Sequence, residues 1–317
     1  MSAVLASWPV RVTIALGLLG YLFWLSHPGE VGRALAAARP WPVALAIGLT
    51  LLDRTLMAYR WLALLGPLPD GTRPPLGAVV RIFFVSTFVG TFLPASVGGD
   101  AVRAYALSGH RVPLSLSVAS VIMDRALGTA AILLLGAAAF LWWPVPIPGL
   151  VPVLGAGLAG CGVLALVVFS ARVADTLSGA LARLPLRRVA AALERLMLAV
   201  REYRHHHGPL LNVLAASIVV QALRVLQAYF LGVALGLAVP PGAYFVAIPL
   251  ILLIMLLPIT INGLGTSQAA FLWCFGALGV DRADAFALSI LFVALGIVGN
   301  LPGGLLYASR GLPRAAS

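Results

Sequence analysis

The sequence predicts an all-α polytopic membrane protein, with about six spanning helices plus two re-entrant helical hairpins in an inverted repeat. Three observations predict it. The 317-residue chain is 61% hydrophobic and only 10% charged, against roughly 25% charged in a soluble domain. A soluble body of this size would lack the polar side chains to cover its surface. Apolar runs of roughly 20 residues, the length a bilayer asks of a helix, recur along the chain. Most of the sequence lies in or between such runs, which leaves no room for a separate soluble domain.

The spanning candidates are residues 10–25, 41–65, 114–142, 150–169, 209–237 and 283–307. The first contains Arg11 and then a wholly apolar stretch, as a signal peptide would. No small-residue cleavage site separates it from the basic segment 30–39, so it reads as a retained helix. Two shorter apolar stretches, 76–93 and 244–257, end in Pro- and Gly-rich sequence. The chain divides into an N-terminal helix and loop (1–40), a first membrane repeat with its connecting helix (41–170), an Arg-rich amphipathic segment (171–208), and a second membrane repeat with a short tail (209–317).

The charge pattern sets the expected orientation. The formal net charge is +11, and all 21 basic residues are Arg. The segment 171–208 carries Arg172, Arg183, Arg187, Arg188, Arg195, Arg201 and Arg204 against Asp175, Glu194 and Glu202. Such an excess marks a cytoplasmic loop, and its middle has apolar positions at helical spacing suited to the membrane surface. The uncharged turns 144–149 and 239–242 then read as external. Both termini read as cytoplasmic, in a cell membrane. On this topology the stretch from Arg73 to Arg111 starts and ends on the inner side, and Pro241 to Asp281 starts and ends on the outer side. Each is therefore expected to enter the membrane, turn and return.

The two turns resemble each other. The first is Leu93-Pro94-Ala95-Ser96-Val97-Gly98-Gly99; the second is Leu257-Pro258-Ile259-Thr260-Ile261-Asn262-Gly263. They lie 164 residues apart, as do Arg60 and Arg224. A helix–hairpin–helix unit thus occurs twice, running in opposite senses, and inverted repeats with broken helices are a transporter signature.

Charge inside a span is costly and is a functional hypothesis by default. Asp53, Arg54, Arg60, Asp124, Arg125 and Arg224 lie within predicted spans, and Asp100 and Arg103 follow the first turn. Internal pairing is one reading. The other uses the surplus, because Asp53, Asp100 and Asp124 cannot neutralise Arg54, Arg60, Arg103, Arg125 and Arg224. Arginine suits phosphate, since its planar fork donates two parallel hydrogen bonds. Glycines at the turns, with the N-terminus of a returning half-helix, add backbone N–H groups for an anion. The candidate head-group residues are Arg60, Gly98, Gly99, Asp100, Arg103, Asp124, Arg125, Arg224, Asn262, Gly263 and Gln268.

Other chemistry finds little support. Cys161 and Cys274 are isolated within apolar runs, as packed cysteines are. His205, His206 and His207 are adjacent and cannot share one helix face, so they read as a solvated loop and not as a metal site. No cofactor, catalytic residue or metal is expected. The Arg-rich loops fit the positive-inside rule better than nucleic-acid binding. No Walker A motif is present.

The residues that carry charge also carry a resemblance. The run Tyr59-Arg60-Trp61, then Thr91 to Arg103 with Gly98-Gly99-Asp100, then Asp124-Arg125, resembles the transmembrane-region family of lysylphosphatidylglycerol synthase, the flippase-like membrane proteins. So does Pro258-Ile259-Thr260-Ile261-Asn262-Gly263-Leu264-Gly265 followed by Gln268-Ala269-Ala270-Phe271. The resemblance implies movement of lipids: aminoacylated phosphatidylglycerol in the founding protein, isoprenoid or glycolipid carriers in others. The founding protein has a soluble aminoacyl-transferase domain after its membrane region; this sequence stops at Ser317, so synthase activity is not expected. Where the family often has Arg-Glu after the second turn, this sequence has Ser267-Gln268.

Three functions compete at this point. The first is a flippase or scramblase for an anionic phospholipid or a polyprenyl-phosphate-linked lipid, holding the phosphate in an intramembrane Arg-lined cavity. The second is an enzyme of lipid-phosphate chemistry, with Asp100 or Asp124 as base. The third is a non-transporting partner of a lipid- or glycan-biosynthesis enzyme.

Overall fold

In lipid, backbone polar groups have no water to bond, so a chain this apolar satisfies them within helices. The computed structural model describes residues 17, 20–66, 74–92, 97–110, 112–182, 187–256 and 264–310, and among these every regular element is helical. They are α1 (Pro28–Ala36), α2 (Pro40–Leu64), α3 (Leu76–Phe92), α4 (Val97–Ser108), α5 (Leu114–Trp142), α6 (Leu150–Phe169), α7 (Ala171–Ala182), α8 (Arg187–Arg201), a 3-10 turn (Glu202–His205), α9 (His207–Ala234), α10 (Pro241–Leu256), α11 (Thr266–Ala277) and α12 (Arg282–Arg310). Residues 20–25, ahead of α1, are also helical. Most of the first predicted span lies outside the described residues.

Among the described residues, five helices are long and apolar enough to cross a membrane: Pro40–Leu64, Leu114–Trp142, Leu150–Phe169, His207–Ala234 and Arg282–Ser309. The all-α polytopic fold expected from the sequence is what the structure has. Proline starts α2 and α10, where its missing N–H would have no partner in any case. Large apolar side chains such as Trp41, Leu141, Trp142, Val163 and Leu305 are exposed. They face outward from a body whose surroundings are hydrocarbon.

Four of the shorter helices, α3, α4, α10 and α11, form two pairs. At ~1.5 Å per residue, α3 (17 residues) is about 26 Å long and α10 (16 residues) about 24 Å, both short of a ~30 Å hydrocarbon core. Their partners α4 and α11 have 12 residues each. Long, short, short, long is the order of α2–α5 and again of α9–α12, at closely similar lengths.

The two units interlock along the seam of α2 with α9 and at the contact of α12 with α3. The second contact depends on glycine. A Cβ at Gly303 would collide with the Phe84 carbonyl, and one at Gly304 would lie 2.8 Å from the Phe88 ring. Within the first pair, a Cβ at Gly99 would lie 2.8 Å from the Ser86 carbonyl oxygen and 3.1 Å from Gly90 Cα. Gly99 is therefore where α4 presses against α3. Gly98, in the first turn of α4 beside it, is half-buried.

The main apolar core joins α5, α9, α10, α11 and α12, with Tyr244, Phe271 and Phe275 among its largest buried side chains. The amphipathic helix α8 leaves its middle residues exposed, but its last turn docks on the bundle. Ala199, Val200 and Tyr203 pack with Leu64, Val168, Leu210 and Val213. The Tyr203 hydroxyl donates to the Leu64 carbonyl at 2.9 Å. Burial, and after it the Asp124 carboxylate, push the phenol above the ordinary tyrosine range, so it stays a donor. That bond ties α8 to the end of α2, one turn from Arg60.

Candidate functional site

Helical spacing assembles the site. Asp53, Met57 and Arg60 lie at i, i+4 and i+7 on α2, and Ser217, Gln221 and Arg224 repeat that spacing on α9, so each trio shares one face. Asp124 and Gly128 face them from α5, and Arg103 from α4. All of these but Ser217 border a cavity of about 310 Å³ whose lining comes from α2, α3, α4, α5, α9, α10 and α12. One wall is charged. Leu252, Met255 and Leu256 of α10, with Phe292 and Val293 of α12, supply an apolar wall.

Two Arg–Asp–Arg triads organise the charged wall. In one, Asp124 accepts from Arg60 Nε at 2.7 Å and from Arg103 Nη2 at 3.1 Å. Arg60 also donates to Ser217 Oγ at 3.1 Å, and Gly128 leaves room for its fork: a Cβ there would sit 3.4 Å from both terminal nitrogens. Arg103 lies 5.0 Å over the Trp61 ring and 5.8 Å over Phe83, a cation–π setting. The Trp61 indole donates to Ser120 Oγ at 3.3 Å.

In the other triad, Asp53 accepts from Arg54 Nη1 at 3.1 Å and Arg224 Nε at 3.3 Å. Arg224 Nη1 donates to Gln221 Oε1 at 3.4 Å, and Gln221 in turn donates to the Gly128 carbonyl at 3.3 Å. A third carboxylate, Asp100, accepts from Arg125 Nε at 2.7 Å and, more loosely, from Arg103 Nη2 at 3.4 Å. The Arg125 side chain is 46% exposed and Asp100 16%, so this pair stands at the rim while Asp53 and Asp124 are deeply buried.

Five guanidinium groups thus share three carboxylates, and every one of the five is engaged. All five arginines are held by carboxylates, and they outnumber those carboxylates by two.

Of the head-group candidates, Arg60, Gly99, Asp100, Arg103, Asp124, Arg125 and Arg224 line this one cavity. Gly98 does not line it. Gln268 is elsewhere: it is wholly buried at the start of α11, where Oε1 accepts from the Gly265 N–H at 2.6 Å and the Ser267 hydroxyl at 3.0 Å. It caps its own helix. Asn262 and Gly263 lie outside the described residues. The sequence reading omitted Ser217, Gln221, Gln227 and Asn300. The first two were detectable as polar residues in register with Arg224 on an apolar helix; Asn300, which donates to Thr91 Oγ1 at 2.8 Å, had no such signal. Among the described residues, no group of three His, Cys, Asp or Glu could hold a metal ion.

Comparison with known proteins points the same way as these residues. The family model described as lysylphosphatidylglycerol synthase TM region matches residues 8–303. A relative from Methanothermobacter thermautotrophicus, named UPF0104 membrane protein, is 27% identical over 142 residues. That alignment covers 44% of this chain and 39% of the relative, so the chain spans about two fifths of that protein's length.

Proposed function

The chain belongs to the lysylphosphatidylglycerol synthase TM-region family, and from that premise we propose that it is a lipid translocator of the cell membrane. Its cavity receives the phosphate of an anionic lipid while the acyl or prenyl chains stay in the bilayer. The observation that carries this reading is the cavity itself, lined both by arginines in excess over carboxylates and by apolar side chains of α10 and α12. Such a site matches the two halves of a lipid. Arg60 and Arg103 are presented by helices already locked in place, so little ordering is needed when a phosphate arrives.

The two long–short–short–long units are the moving parts in this reading. Their short pairs are re-entrant hairpins that enter from opposite leaflets, and rocking of one unit against the other exposes the cavity first to one side and then to the other. The termini and the α7–α8 segment face the cytoplasm, as the arginine distribution requires.

The test is reconstitution of the full chain into phosphatidylcholine liposomes carrying a trace of fluorescent phosphatidylglycerol, with dithionite added outside. Translocation makes the inner-leaflet probe accessible, and bleaching then exceeds that of protein-free liposomes. Arg60→Gln and Arg224→Gln slow it. Bleaching equal to protein-free liposomes for phosphatidylglycerol, phosphatidate and an isoprenyl phosphate alike, with folded protein present, sinks the translocator reading. It leaves the chain a non-transporting partner.

A further inference from the structure

The charge of the site specifies the charge of its ligand. Arginine stays protonated in proteins, so each triad has a fixed composition. Arg60, Asp124 and Arg103 together carry one positive charge, and so do Arg54, Asp53 and Arg224. The rim pair Asp100–Arg125 adds none. All eight residues line the same cavity, and among the described residues the rest of its lining is uncharged. The excess is therefore two, whether the half-exposed rim pair is counted or not.

Hydrogen bonding agrees. Among the described residues, three buried donors on the lining side chains have no acceptor: Arg54 Nε, Arg103 Nε and Gln227 Nε2. Gln227 is only 5% exposed. One buried acceptor there, Asn300 Oδ1, lacks a donor. The site is short of acceptors and short of two negative charges. A buried uncompensated charge is strongly unfavourable, so the ligand that completes this site supplies both.

We propose that the cavity recognises a dianionic phosphate head group, meaning a phosphate monoester or a diphosphate diester, in preference to the monoanionic phosphodiester of an ordinary glycerophospholipid. This rests on the anionic-lipid reading above and narrows it. A phosphodiester leaves one positive charge uncancelled in a low-dielectric site. A monoester cancels both and offers three acceptor oxygens.

The phosphate monoester provides its own test, because its second ionisation falls near pH ~6. Purified full-length protein in a neutral detergent is titrated with dioctanoyl phosphatidate, dioctanoyl phosphatidylglycerol and inorganic phosphate. The first two share their tails and differ in head-group charge. At pH 8 phosphatidate binds tighter than phosphatidylglycerol by about tenfold or more, as one extra charge within several ångströms of two cations dictates. Lowering the pH to 5 removes most of that advantage. Phosphatidylglycerol, which keeps its single charge throughout, is the reference and stays level. Arg224→Gln, which lowers the excess from two to one, shrinks the preference toward equality.

Equal affinities with no pH dependence overturn the dianion assignment and leave the anionic-lipid reading standing. No binding of either lipid sinks both. Inorganic phosphate competing as strongly as phosphatidate keeps the dianion and removes the lipid as its source.

Discussion

Asp124→Asn separates the structural from the ligand-binding contribution of the central triad. The wild-type carboxylate is 3% exposed and bridges Arg60 at 2.7 Å and Arg103 at 3.1 Å. Asparagine keeps the shape and one acceptor but removes the charge, so two guanidinium groups face each other with only Ser217 and the rim carboxylate Asp100 near them. Removing one partner of a buried ion pair typically costs about 3–5 kcal/mol. In a protein of this size that lowers the midpoint of thermal unfolding by on the order of 10 °C. If the cavity binds phosphate, the loss is conditional. An anion that enters between Arg60 and Arg103 replaces the missing carboxylate, and ligand held by the folded state alone stabilises it by mass action, about 2.7 kcal/mol at a hundredfold excess over Kd. The assay is fluorescence-detected unfolding in neutral detergent, with and without dioctanoyl phosphatidate. The variant should be destabilised alone, and the lipid should raise its midpoint more than it raises that of the wild type. An Asn variant as stable as wild type in lipid-free detergent would refute the ion-pair argument. One that is destabilised yet gains no more from the lipid than wild type would place the phosphate away from Asp124.

Asp100→Asn should cost less stability, about 1 kcal/mol or under, because its partner Arg125 is half exposed and solvent screens the pair; its effect should appear in lipid movement, and a variant with full translocation would remove Asp100 from the site. Arg60→Lys and Arg224→Lys keep the charge and lose the fork, so each should restore only part of the translocation lost in the Gln variants in the dithionite assay. Gly99→Ala should destabilise by about 1–3 kcal/mol through overpacking against the Ser86 carbonyl, measured as the unfolding midpoint; a neutral result would mean that α3 and α4 can part without loss. A single cysteine at Ala191, on the exposed side of α8, in a background lacking Cys161 and Cys274, should react with membrane-impermeant maleimide only after the cytoplasmic face is opened. Labelling in intact cells would reverse the proposed orientation.

The architecture was legible because hydrophobic length is a one-dimensional signal. Residues 114–142 and 150–169 were bounded from sequence alone as the structure bounds α5 and α6, since Pro113 and the Pro- and Gly-rich turn 144–149 interrupt otherwise continuous apolar runs. The charged residues were legible for a related reason: in hydrocarbon a misplaced Asp or Arg has no neutral explanation. Partner choice was another matter. The sequence offered internal pairing of these Asp and Arg residues without saying which would meet which. In the structure Asp124 pairs with Arg60 and Arg103, while its neighbour Arg125 reaches Asp100 at the rim, because adjacent residues on a helix diverge by about 100°. Gln268 misled for the opposite reason. A polar residue beside a Gly-rich turn resembles a ligand contact, but a helix start also needs an acceptor for its orphan N–H groups, and Gln268 fills that need locally.

The same partner map bears on how two units could move. The charge is not shared evenly between them. Asp53, Arg54, Arg60, Asp100, Arg103, Asp124 and Arg125 all belong to α2–α5, while the second unit contributes Arg224 and otherwise neutral groups: Ser217, Gln221, Gln227 and Asn300. Arg60 and Arg224, equivalent by position in the sequence, are therefore not equivalent in role. Arg60 is held chiefly within its own unit, by Asp124 at 2.7 Å, and donates to Ser217 of the second at 3.1 Å. Arg224 reaches across the seam, and its bond to Asp53 at 3.3 Å is the ion pair that joins the units in this cluster. Any rocking of α9 against α2 must stretch that pair while the Arg60–Asp124–Arg103 triad travels intact with the first unit. In the rocking proposed above an empty cavity resists the motion, since parting Arg224 from Asp53 leaves Arg224 without a carboxylate inside the membrane, while Asp53 keeps Arg54. A phosphate lying between them can accept from Arg224 as Asp53 recedes, and the resistance falls. On this geometry the step that needs ligand is the separation of Arg224 from Asp53.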